Sequence, residues 1–333
     1  MKSMCLLMKV LLGVVCVSVL MNMELVTIAQ TTNNKPKPVI LDTDIGDDID
    51  DTWALGLLLK SPELDLKLVV GDYGKPLYRT KLIAKFLEAV KRTDVPVGMG
   101  IDTAVFGDGP QADWVKDYNL NSYPGKILPD GVGAIIETIM NSPEPVTLIC
   151  IGPLPNIAAA LEREPRIAEK ARFVGMYGSV RIGYDGTSKI SDEWNVRADV
   201  KSCMKVFSAP WPMLITPLDT CGRVNLSGER YKKILNSEDL IAKVIIDNYR
   251  IWNSKTQKNK NIAEERSSTL FDTVAVYLAI SQDLVEIEQL GLRIDDKGFT
   301  LIDETAKKVS VATQWKDLDG FRDFLVNRLT HNK

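Results

Sequence analysis

Histidine is almost missing from this sequence: 333 residues contain one, His331, at a tail position where chains tend to fray. That leaves no material for a Ser-His-Asp triad, a Cys-His dyad or a histidine-rich zinc site, so acid–base work falls to carboxylates. Cysteine is scarce as well. Cys5 and Cys16 lie in the N-terminal apolar stretch, and Cys150, Cys203 and Cys221 form no disulfide framework. Cys150, inside "VTLICIG", reads as a buried thiol, while pairing of Cys203 with Cys221 is left open. Charge of one sign is lacking too. The formal net charge is −3, and the basic runs "KKIL" and "KTQKNK" read as solvated faces, which argues against an electrostatic nucleic-acid binder. Long hydrophobic runs are absent beyond the N-terminus.

That N-terminus reads "MKSMCLLMKVLLGVVCVSVLMNMELVTIAQ". Lys2 and Lys9 flank the start of an apolar run that fades by Met23, and the small residues Thr27 and Ala29 precede Gln30. This is the layout of a secretory signal peptide over residues 1–29, with an uncleaved membrane anchor as the alternative. Secretion, with no membrane attachment after cleavage, is the expectation. "NLS" at Asn225 is the one N-glycosylation sequon and agrees with it.

After a polar linker at 30–37, apolar β-type runs alternate with amphipathic stretches. "PVILDTD", "LDLKLVVGDYG", "VPVGMG", "PVTLICIG", "ARFVGMYGS" and "WPMLITPLD" read as strands. "DDTWALGLLLKS", "LYRTKLIAKFLEAVKRT", "GVGAIIETIMNS" and "LPNIAAALERE" read as helices. The alternation predicts an α/β fold, an open mostly parallel sheet with helices on both faces, forming a single domain over 38–333. Ligands of such sheets bind at the carboxyl ends of the strands. Asp42, Asp44, Asp72, Gly152, Gly178 and Asp219 all fall at predicted strand ends, so one mouth gathers them.

The densest feature is "DTDIGDDIDD", with six aspartates in ten positions from Asp42 to Asp51. Carboxylates that close cannot all stay ionised without a positive charge among them. Oxygen ligands without cysteine or histidine suit a hard divalent cation, and calcium accepts six to eight of them in flexible geometry. Asp50 and Asp51 also fall in the first turn of the following helix, where the dipole favours negative charge. The bland alternative, capping plus a solvated acidic turn, calls for one or two aspartates.

The same segment resembles the N-terminal signature of the inosine–uridine-preferring nucleoside hydrolases, in the variant with two extra residues before the Asp pair. Four blocks follow in family order: "TLICIGPLPNIAAAL", "VGMYGS", "DEWNVRAD" and "LFDTVAVYLA". The resemblance runs from about Pro38 to the end of "VYLAI". It implies an open α/β, Rossmann-like core, a bound Ca²⁺ and hydrolysis of a ribonucleoside N-glycosidic bond. It makes Asp44 a calcium ligand and the general base on a metal-bound water, with Asp51, Asp272 and the Ile151 main-chain carbonyl as further ligands. It gives the ribose hydroxyls to Asp50, Glu193 and Asn195. The two extra residues leave the register of the cluster open, with Asp47 or Asp48 as alternatives to Asp50 and Asp51. It also implies a small nucleoside as partner and assembly as a homodimer or homotetramer.

Three positions depart from the family pattern. Phe271 stands in place of the His before the late Asp, Asp72 where many members have Asn, and Tyr184 where a ribose-contacting Asn is common. Tyr184, Asp185, Arg181 and Arg197 are alternative contacts for the base. Two other readings remain beside an active hydrolase. One is a catalytically reduced relative that binds calcium or a ribosyl ligand. The other is an Asp-nucleophile phosphatase, because "ILDTD" resembles that family's Asp-x-Asp strand end.

Overall fold

A computed structural model describes residues 35–105, 107–258 and 261–331. Its elements belong to the unit Pro36–Lys333. Residues 1–29, read as a signal peptide, and residues 30–34 of the linker lie outside the described residues. No described helix is long and apolar enough to cross a membrane.

The strands are β1 (Lys37–Thr43), β2 (Leu64–Gly71), β3 (Val97–Met99), β4 (Ile127–Leu128), β5 (Val146–Cys150), β6 (Ala171–Met176), β7 (Met213–Thr216), β8 (Val285–Ile294), β9 (Thr300–Ile302) and β10 (Lys308–Trp315). They form one sheet in the order β4-β3-β2-β1-β5-β6-β7-β10-β8-β9. From β4 across to β10 every pairing is parallel, and β8 and β9 add antiparallel strands at one end. The mostly parallel α/β sheet expected from the sequence is the sheet observed.

The helices that matter for the site are α1 (Asp50–Leu59), α2 (Pro76–Ala89), α3 (Gly131–Met140), α4 (Pro155–Arg163), α5 (Trp194–Ala198), α6 (Val200–Ser208), α7 (Leu240–Thr256), α8 (Phe271–Ile280) and α9 (Leu318–Thr330). Alternate strand residues feed two cores, one on each face of the sheet. Val39, Leu41, Val69 and Ile149 join α1, α2, α7, α8 and α9. Ile40, Leu68, Val70, Leu148 and Cys150 join α3, α4 and α6. Strand periodicity of two is what divides them, and burial on both faces is why these strands read as unbroken apolar runs.

The open question over Cys203 and Cys221 is answered by this division. Both are free, buried thiols. Cys203 belongs to the α6 core and Cys221 to the opposite one, so the sheet lies between them. Each sulfur instead lies near a carbonyl, that of Asn195 at 3.5 Å and that of Pro217 at 3.1 Å.

The chain places β2, β3 and β4 to one side of β1 and β5, β6 and β7 to the other. The order therefore reverses between β1 and β5. That is where a crevice opens beyond the strand ends of an α/β sheet.

Candidate active site

The crevice is built from segments that leave these strands. Asp44 follows β1 and Ile151 follows β5, with the Ile151 N–H donating to the Asp42 carbonyl at 3.0 Å. Gly152 comes next and must be glycine. A Cβ there would lie 2.7 Å from an oxygen of Asp44 and 2.7 Å from one of Asp72. Asp44, Asp47, Asp48, Asp50, Asp51, Ile151, Met176, Tyr184, Glu193, Trp194, Asn195, Trp252, Phe271 and Asp272 line the resulting cavity.

Carboxylate oxygens of Asp50, Asp51 and Asp272 lie within 4.8 Å of one another, and all three residues are buried. They converge because α1 and α8 both start here, so two helix dipoles point their positive ends at the same spot. The Asp272 N–H donates to Asp50 at 3.3 Å, and the Thr43 hydroxyl donates to Asp51. Burial, then the charge of neighbouring aspartates, pushes all three carboxyls well above their ordinary range. Asp44 faces the same cavity without joining the trio at that spacing, and burial pushes it up to about 7, with Arg79 pulling the other way. An all-oxygen donor set with excess negative charge suits a hard cation, and the Ile151 carbonyl adds a neutral oxygen on the cavity wall.

Within the cluster the two aspartate pairs are placed differently. Asp47 is held by Arg79 at 2.6 Å, and Asp48 is exposed, accepting the Ile49 N–H at 2.7 Å. Asp50 and Asp51 are the pair that converges with Asp272.

On the opposite wall, Glu193 and Asn195 are buried rather than loop-exposed. Glu193 caps α5, accepting the N–H groups of Asn195 at 2.8 Å, Val196 at 3.3 Å and Gly178 at 2.9 Å. Burial still raises it to about 7. The Asn195 amide nitrogen donates to the Ile151 carbonyl at 2.9 Å and the Met176 carbonyl at 3.1 Å. Its amide oxygen makes neither bond and is the atom suited to a ligand hydroxyl.

Above these polar groups stand aromatic rings. Tyr184 and Phe271 meet edge to face at 6.2 Å. The Tyr184 hydroxyl accepts the Trp194 N–H at 2.9 Å. Of the four alternative base contacts, only Tyr184 lines the cavity. Arg181 is paired with Glu288 and Arg197 stacks over Trp194, while Asp185 is exposed in a turn at φ 56°.

Some sequence candidates stand apart. Asp72 lies behind the cavity wall beside Asp42, and both are buried and pushed upward by that burial. Asn156 holds Asp42 at 2.9 Å. Asp219 clamps the loop after β6 by accepting the N–H groups of Val180 and Arg181, both at 2.9 Å. Asn225 is exposed, on the surface. Sequence reasoning missed Met176, Trp194 and Trp252 as lining residues. Trp194 sits inside the quoted "DEWNVRAD" block and was within reach, whereas Trp252 arrives from α7 with no local signal.

Residues 39–323 match the family model described as inosine-uridine preferring nucleoside hydrolase. The pyrimidine-specific ribonucleoside hydrolase RihA of Salmonella arizonae is 27% identical over 317 residues, covering 88% of this chain and 98% of that one. RihA of an Enterobacter species is 32% identical over 214 residues, 60% of this chain and 66% of that one. Among solved structures, a plant nucleoside hydrolase, PpNRh1, superposes with a TM-score of 0.75 at 23% identity, covering 89% of this chain and all of that one. A purine-preferring ribonucleoside hydrolase from Gardnerella vaginalis gives 0.71 at 24% identity, covering 88% and 98%.

Proposed function

This chain belongs to the inosine-uridine preferring nucleoside hydrolase family, and from that premise we propose that it splits ribonucleosides into ribose and free base at a calcium site formed by its aspartate cluster. The observation that carries the reading is the sharing of one cavity. The oxygen trio of Asp50, Asp51 and Asp272 faces Glu193 and Asn195, with an aromatic wall above.

Asp51, Asp272, Asp44 and the Ile151 carbonyl would hold the cation. Bound there, it would neutralise the carboxylates and make a water molecule easier to deprotonate. Asp44 takes the proton from the attacking water, a role open to a carboxylate held beside that water. Asp50, Glu193 and the Asn195 amide oxygen accept hydrogen bonds from the ribose hydroxyls. Those contacts fix the sugar while positive charge develops at its anomeric carbon. Tyr184, Trp194, Trp252 and Phe271 flank the space left for the base. Asp48 stands at the mouth, and Asp72 lies buried behind the wall.

A second reading, a relative that binds calcium or a ribosyl ligand with reduced turnover, is favoured by Phe271, which offers no proton to a departing base. The phosphatase reading has no support in the family match. The layout of residues 1–29 and the exposed Asn225 sequon support secretion and glycosylation. Assembly as a homodimer or homotetramer belongs to the same proposal.

The deciding experiment assays purified protein with Ca²⁺ on inosine, uridine, adenosine, guanosine and cytidine for release of reducing sugar. Turnover of at least one is expected. Calcium binding without turnover of any would favour the second reading.

A further inference from the structure

Between Thr43 and Asp50 the chain forms neither helix nor strand, yet its carbonyls are pinned one after another. The Ile45 carbonyl accepts from Arg79 Nη1 at 2.9 Å, that of Gly46 from the Tyr78 hydroxyl at 3.0 Å, and that of Asp47 from Trp252 Nε1 at 2.9 Å. Gly46 sits at φ 116°, where a Cβ would strike Tyr78 and Leu82. Arg79 does most of the fixing. Its Nη2 reaches the Asp47 carboxylate at 2.6 Å and its Nε donates to the Tyr73 carbonyl at 3.1 Å. The residue is 1% exposed, at the start of α2. Three directed bonds from one buried planar group match a guanidinium fork and not an ammonium.

We propose that Arg79 is a positioning residue for the cation site. Its fork sets the path of Ile45–Asp47, and that path fixes how far Asp44, at one end, stands from Asp50 and Asp51, at the other. This rests on the reading of the aspartate cluster as a divalent-cation site. Two effects of Arg79 oppose each other. Its positive charge repels a nearby cation, whereas its hydrogen bonds hold the ligands in register. The second wins, because the charge is already matched by Asp47 in a close ion pair, and at a distance the pair is nearly neutral. Asp47 is thereby committed to Arg79, which explains why it lines the cavity but stays outside the oxygen trio.

The test is calorimetric titration of Ca²⁺ into metal-stripped full-length protein, with thermal melts alongside. Wild type is compared with Arg79→Lys, Arg79→Met and Tyr78→Phe. Arg79→Lys keeps the charge and loses the fork, and Tyr78→Phe removes only the hydroxyl that holds Gly46. Both are expected to fold and to bind Ca²⁺ roughly 10- to 100-fold more weakly, the usual cost of losing a group that orients metal ligands. Arg79→Met is expected to bind at least as weakly as Arg79→Lys if it folds; if it does not, the other two variants carry the test. Wild-type affinity in Arg79→Lys and Tyr78→Phe would overturn the proposal, as would tighter binding by Arg79→Met. Absence of Ca²⁺ binding by wild type would instead remove the cation reading on which it rests.

Discussion

Phe271 and Asp272 are consecutive residues that serve opposite halves of one cavity. Phe271 packs edge-on to Tyr184 on the side proposed for the base, while Asp272 joins Asp50 and Asp51 at the floor. Replacing Phe271 by histidine puts a titratable donor on the base side without touching the carboxylates. Turnover of a purine nucleoside such as inosine should rise, by roughly 10²-fold if protonation of the departing base limits the wild type. Steady-state kinetics at pH 6–7 would show it, and no gain would mean that leaving-group protonation is not limiting. Asp44→Asn preserves shape and removes the proposed base. Its kcat should fall by roughly 10²–10⁴ with the melting temperature little changed. An unaltered kcat would strip Asp44 of that role. At this scale the sequence was legible where charge was concentrated, since six neighbouring aspartates demand an explanation by their number alone. The pairing of Asp47 with Arg79 was not legible, because its partner lies 32 positions on and reads in isolation as an ordinary helix residue.

Helix α1 shows what the elements contribute. Nine of its ten residues are buried, from Asp50 to Leu58, so it is a core element whose first turn carries two site carboxylates. Trp53, fully buried, lies tilted against Tyr231 and edge to face with Tyr249, both at 6.5 Å. Trp53→Ala should cost about 3–5 kcal/mol in chemical denaturation. Calcium affinity should fall with it, because the same helix aims Asp50 and Asp51; a loss of stability with unchanged affinity would show the N-terminal turn to be held independently. The parallel strands and their crossover helices were readable from apolar runs and amphipathic stretches. The antiparallel end of the sheet was not, because β8 is exposed or part-exposed from Glu286 to Leu290 and carries charges such as Glu286, Glu288 and Arg293, which leaves no unbroken apolar run. Nor did periodicity mark α1 as buried on all sides; that follows only from its packing between the sheet, α7 and α8.

For the whole molecule, the crowded carboxylates set the response to pH. Asp42 and Asp44 rise from an ordinary value of 3.8 to about 7, chiefly through burial, and Asp50, Asp51, Asp72 and Asp272 are raised as well. The folded chain then holds more protons than the unfolded one between about pH 4 and 7, so stability without a cation declines as pH climbs through that window. Melts in EDTA should show a falling Tm from pH 5 to 7.5, and added Ca²⁺ should restore most at the upper end. A flat EDTA profile would show that the cluster is not under this strain. Asn195 gives the molecule a further property. Its amide nitrogen grips the Ile151 carbonyl, the oxygen proposed for the cation, while its amide oxygen is the atom proposed for the sugar. In the proposed site this amide touches both ligands and gives them a route for coupling. Whatever factor the ion contributes to sugar affinity, the sugar must return to ion affinity, so a scarce ion would be retained best by an enzyme already holding substrate.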